Sequence, residues 1–171
     1  MFPATERRLA AEWSLLQQLS AANPGRITQL RREEDVFYLT LHGPAAVSIP
    51  GGQHGTALSV HDLRIEFPVH FPAVPMEMYL SVPVVHPNVH PETGFVCLWD
   101  RHRVSNTVEI AMHKVVAMLA GTLWNPQALH VMQPAAVPCT PSADPMLLQG
   151  VAYEPSLAHI PAQASRRKRL S

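Results

Sequence analysis

The sequence predicts an α+β domain. Its parts are an N-terminal helix, a four-stranded antiparallel meander, an irregular loop, a central core helix and a Pro-rich C-terminal segment. Three observations carry that expectation. An apolar stripe at helical spacing opens the chain, a series of short period-two runs follows, and a second, more apolar helical stripe comes after them. Successive strands joined by short turns pair antiparallel. At 171 residues the chain suits one domain, placed at 1–160, with 161–171 as a basic tail.

Each element has a local reason. From Thr5 to Ala22, Leu9, Trp13, Leu16 and Leu19 fall on one helical stripe, and Asn23-Pro24-Gly25 stops it. Ile27–Arg32 is a weak strand. In Val36–Leu41, Phe37, Leu39 and Leu41 share a face. The turn 50–55 is Gly-rich. Leu58, Val60, Leu63, Ile65 and Phe67 then make a third strand, and Met76, Met78, Leu80 and Val82 a fourth. Asn106-Thr107-Val108-Glu109 reads as a capping box with Asn106 as N-cap. Val108, Met112, Val115, Leu119 and Leu123 form the stripe of the helix it starts. Beyond Trp124 the spacing of Pro residues forbids a long helix, leaving short helical pieces at 134–137 and 145–151.

Composition narrows the function. Thirteen basic and thirteen acidic residues cancel, which argues against a nucleic-acid binder that works by neutralising phosphates. No apolar run approaches the ~20 residues that span a bilayer, and Met1–Arg8 has no signal-peptide core, so no membrane role is expected. With two Cys, Cys97 and Cys139, no disulfide scaffold exists, and a reducing, cytoplasmic compartment is expected. Lysine is scarce: Lys114 and Lys168 stand against eleven Arg. The Gly51–Gly55 loop lacks the following helix and Lys-Ser/Thr ending of a phosphate cradle. His86 and His90 are four apart, but Pro87 and Pro91 prevent the helix that would put both on one face, so no metal is expected.

The densest chemistry lies in residues 67–100. Phe67-Pro68-x-x-Phe71-Pro72-x-x-Pro75 is a stiff loop, because each Pro fixes its own φ and restricts the residue before it. A strand follows, then His86-Pro87-Asn88, then Gly94-x-Val96-Cys97-Leu98. Four such motifs in this order resemble the core of the ubiquitin-conjugating enzyme family. The resemblance covers about residues 5–136, with specific motifs in 67–98. It implies the UBC-like fold.

It also implies roles. Cys97 would accept a ubiquitin-like modifier from an activating enzyme as a thioester and pass it to a lysine amine of a target protein, or to a ligase cysteine, without a cofactor. Sulfur suits the task, because it offers a thiolate fraction near neutral pH and an acyl bond that amines attack. Asn88 would stabilise the oxyanion or brace the loop, and His86 would support that loop through ring hydrogen bonds. Arg7 and Arg8 would dock the activating enzyme. The loop bearing Phe71 and Pro72, with Trp99, would receive a ligase.

The chain departs from the family pattern at four points. Asn88 to Cys97 is one residue longer than usual, so Val89–Thr93 is expected to bulge. Val104-Ser105-Asn106 replaces Trp-Ser-Pro. The segment Trp124–His130 has no acid to help the incoming lysine lose its proton, leaving His130 to substitute as the base. The two C-terminal helices of many members are hard to find. These departures look most like the ubiquitin-conjugating-like proteins of bacterial modification operons, several of which act against phage. A non-catalytic module of the same fold that binds a ubiquitin-like protein is the alternative.

Overall fold

The structure is a computed structural model that describes residues 3–49, 56–123, 131–136 and 147–151. Helix α1 spans Pro3–Ala22. Five strands follow: β1 Ile27–Glu33, β2 Val36–Val47, β3 Ala57–Glu66, β4 Glu77–Leu80 and β5 Phe95–Val96. Helix α2 spans Val108–Leu119. The strands form one antiparallel sheet in the order β1-β2-β3-β4-β5. The expected meander is present, lengthened by the two-residue β5.

The register explains the two faces of the sheet. Phe37 pairs with Ile65, Ile65 with Met78 and Met78 with Val96, and all four are buried. One residue along, Tyr38 pairs with Arg64, Arg64 with Tyr79 and Tyr79 with Phe95. Alternation sends the first row to the core and the second to the open face. Both helices cover the core row. On the open face the guanidinium of Arg31 lies 4.4 Å from the Tyr38 ring centroid and that of Arg64 lies 4.5 Å from Tyr79.

Helix α1 buries Leu9, Leu15, Leu16 and Leu19, while Trp13 is half-buried. Glu12 shares that buried face. One of its carboxylate oxygens accepts from Arg8 Nε at 2.7 Å and the other from the Val108 N–H at 2.6 Å. Burial pushes the Glu12 carboxyl above its usual range, against the opposing pull of Val108 and Arg8. A carboxylate from α1 therefore caps the first turn of α2, where unpaired N–H groups and the positive end of the helix dipole favour an anion.

Several local expectations change. The N-cap of α2 is Thr107, whose hydroxyl accepts from the Ile110 N–H, and not Asn106. Either side chain can cap, but Glu12 already occupies the N–H of Val108, and the turn starts one residue later. Leu123 is 39% exposed and lies beyond the helix, which ends at Leu119. Residues 147–151 are not helical, and 134–135 form a turn. Asn23 holds the first of these segments by a two-way amide pairing with the backbone of Gln149. No helix of the described residues is long and apolar enough to cross a membrane.

Candidate active site

Past β4 the chain leaves the sheet and makes the turn that carries His86, Pro87 and Asn88. It remains tied to the end of β2, since Val85 N–H donates to Val47 O and Ile49 N–H to Pro83 O, both at 2.8 Å. His86 is buried and both ring nitrogens are used. Nε2–H donates to Leu123 O at 3.1 Å, and Nδ1 accepts from the Asn88 N–H at 3.1 Å. These partners select the neutral Nε2–H tautomer. Burial lowers the ring's pKa, partly offset by the bond to Leu123.

A second brace comes from residues 131–136. Gln133 Nε2 donates to Val84 O at 2.9 Å and Val89 O at 2.8 Å, and Met132 N–H donates to Pro87 O at 2.9 Å. One side chain thus joins the two ends of the His86–Asn88 turn.

The long connection from Asn88 to Cys97 closes on itself. His90 N–H donates to Phe95 O and Gly94 N–H to His90 O, while the His90 ring accepts from Glu92 and Thr93. Gly94 has a positive φ of +71°, and a Cβ there would lie 1.9 Å from Leu80 O. Only glycine fits both the dihedral and that approach. The Cys97 N–H still donates to Asn88 O at 2.8 Å, and Val89 still bridges Val96.

Cys97 is half-buried. It borders a cleft of about 40 Å³ together with Asn88, Leu98, Asp100, Lys114, Met118 and Leu123. That volume holds a few water molecules at one probe volume of ~10–15 Å³ each. Burial and then the Asp100 charge push the Cys97 thiol up, opposed by the Trp99 N–H and by Lys114. Larger hollows of about 550 and 450 Å³ lie on the open sheet face and beside Asp35, away from the sulfur.

Asn88 is 3% exposed and reaches the cleft. The residues expected to meet partners separate into two groups. Arg7 is exposed on α1. Arg8 is committed internally: besides Glu12 it donates to Asn106 O at 3.0 Å and lies 5.6 Å from the Phe71 ring centroid. Phe71 is 2% exposed, which corrects its expected place on the surface. It ends a run of touching rings, Trp13–Phe37–Phe67–Phe71, with centroids 4.6–4.9 Å apart. Pro72 is half-exposed, and its carbonyl accepts from His102 Nε2 at 2.7 Å, joining the two loops. Trp99 is partly buried and donates to Met76 O at 3.3 Å. His130, like Cys139 and the basic tail, lies outside the described residues.

Sequence reasoning missed Glu12, Gln133 and the placement of Lys114. Glu12 had a signal, since it falls on the helical stripe of Leu9, Leu16 and Leu19, where a solvated acid does not belong. Gln133 had none, because its bonds reach 44 and 49 positions back along the chain.

The sequence model of the family described as ubiquitin-conjugating enzyme matches residues 11–138. No curated protein matches significantly. Among solved structures, human ubiquitin-conjugating enzyme E2 G1 is similar at a TM-score of 0.50 and 23% identity, over 67% of this chain and 96% of that one. A ubiquitin conjugating enzyme from Trypanosoma cruzi has a TM-score of 0.49 and 21% identity, over 65% of this chain and 74% of that one. The E2 G1 likeness speaks for the shared fold, and the family match spans most of the chain, including the loop of His86 to Cys97. The chain belongs to the ubiquitin-conjugating enzyme family.

Proposed function

We propose that Cys97 carries a ubiquitin-like protein as a thioester and transfers it to an amine. The observation that carries this reading is the half-buried Cys97 at the mouth of a small cleft, with its backbone bonded to Asn88 despite the longer connection. In the loading step the Cys97 sulfur attacks the activating enzyme's thioester. A new C–S bond forms, and the activating enzyme's thiolate leaves. In the transfer step a lysine amine of a target attacks the carbonyl, an amide forms, and the Cys97 thiol returns. Asn88, on the cleft wall, is assigned as the neutral donor to the oxyanion and as a brace of the loop.

Partners follow from what remains exposed. Arg7 is assigned to the activating enzyme. A ligase would meet Pro72 and the edge of Trp99, beside Val69 and Val104, which are 71% and 59% exposed. Exposed apolar side chains around a half-buried aromatic support an interface there. The departures from the family pattern support a bacterial operon as the source of modifier and activating enzyme, with a role against phage.

The test is loading in vitro with ATP and the activating enzyme and ubiquitin-like protein encoded beside the gene. A modifier-sized shift on a non-reducing gel is expected. Reductant removes it, Cys97→Ala lacks it, and Cys97→Ser gives a reductant-resistant form. A folded protein that stays unshifted beside a charged activating enzyme would overturn the reading in favour of a non-catalytic binding module.

A further inference from the structure

Lys114 is the only lysine among the described residues, and it lines the same cleft as Cys97. It projects from the second turn of α2 and is pinned at two points. Its Nζ donates to Leu98 O at 2.9 Å and lies 4.8 Å from the centroid of the Trp99 ring. Leu98 and Trp99 are the two residues that follow Cys97. A carbonyl oxygen and an aromatic face both favour a cation. The amino group is therefore tied down beside the segment that follows Cys97, not presented as an attacking amine.

We propose that Lys114 is a positioning residue for the thiol chemistry, whose anchored ammonium holds the segment after Cys97 and favours negative charge on the sulfur. This rests on the reading of Cys97 as the thioester carrier. During transfer the C–N bond forms as the C–S bond breaks, the electron pair of that bond leaves on sulfur, and the amine proton passes to solvent. Sulfur is most negative at that moment, and again as a thiolate before loading. Among the described residues, the ionisable groups on the cleft wall are Cys97, Asp100 and Lys114. His86 stands behind Asn88 with both nitrogens bonded. Asp100 opposes thiolate formation and Lys114 favours it. A fixed cation suits this site, because no second positive side chain of the described residues borders the cleft.

The test is the pH dependence of Cys97 alkylation by iodoacetamide in the full chain, read by mass spectrometry on the Cys97 peptide. Removing the charge with Lys114→Gln, which retains a donor for Leu98 O, is expected to raise the alkylation midpoint by about half to one pH unit. Lys114→Arg restores it, and Asp100→Asn lowers it. An unchanged midpoint in folded Lys114→Gln overturns the proposal. If Lys114→Gln does not fold, the decision falls to Lys114→Met, and a midpoint unmoved in that variant overturns it. A modifier attached to Lys114 in the loaded enzyme also overturns it, by making Lys114 an acceptor. Alkylation needs neither modifier nor activating enzyme, so a failure of loading at Cys97 is read separately.

Discussion

The two walls of the Cys97 cleft are built in opposite ways. On the His86–Asn88 wall the side chains are buried and neutral, and both nitrogens of the His86 ring are bonded to backbone. On the other wall Asp100 is exposed, Lys114 and Trp99 are half-exposed, and the contacts are electrostatic. The difference separates two tasks. The buried wall fixes where the sulfur sits, because unmade bonds there are costly. The charged wall sets the sulfur's readiness to carry charge, because charge acts at a distance and its partners stay hydrated.

Breaking the buried wall should therefore cost stability first. Gly94→Ala forces a Cβ against Leu80 O at a positive φ, and we expect a loss of at least about 3 kcal/mol in urea unfolding. His86→Ala leaves Leu123 O and the Asn88 N–H without their ring partner, for an expected loss of about 2–4 kcal/mol.

The same ring gives the wall a pH dependence. Burial depresses the pKa of His86, and of His61, whose Nε2–H donates to Pro44 O, below the unfolded value of 6.5. Below 6.5 the unfolded chain binds protons that the folded chain refuses. The stability contribution is thus complete above 6.5 and is lost as pH falls toward the folded values. Each ring gives a slope of at most about 1.4 kcal/mol per pH unit. Urea titrations between pH 5 and 7 should show stability rising with pH, and less steeply in His86→Gln.

A site remote from both walls sharpens the comparison with the smallest effect. On the open sheet face, Arg64 pairs with Glu66 at 2.9 Å and stacks on Tyr79. Its groups are partly exposed and screened by solvent, so Arg64→Ala should cost no more than about 1 kcal/mol. It should leave the alkylation midpoint of Cys97 unmoved.

Legibility in the sequence followed the range of the interactions. The four strands were readable because Phe37-Leu39-Leu41 and Leu63-Ile65-Phe67 alternate locally. Strand β5 was not, since two residues carry no period and only pairing with Met78 and Tyr79 defines it. The motif order marked Cys97, Asn88 and His86 as candidates, but nothing local told that Arg8 and Phe71 face inward. Their partners, Asn106 and Phe67 among them, are brought there by the packing of α1 and the loop against the sheet.

What the sequence by itself determined is the pattern that folds: the helical stripes, the alternation, the Pro-stiffened loop and the motif that contains Cys97. Each depends on residues near one another along the chain. Only the tertiary structure decided the environment of that cysteine. Lys114 from α2, Asp100 from the loop and the Leu123 carbonyl behind His86 meet around it because two helices pack on one face of a sheet. The proton affinity of a thiol is set by burial and by charges in space, which sequence distance does not encode.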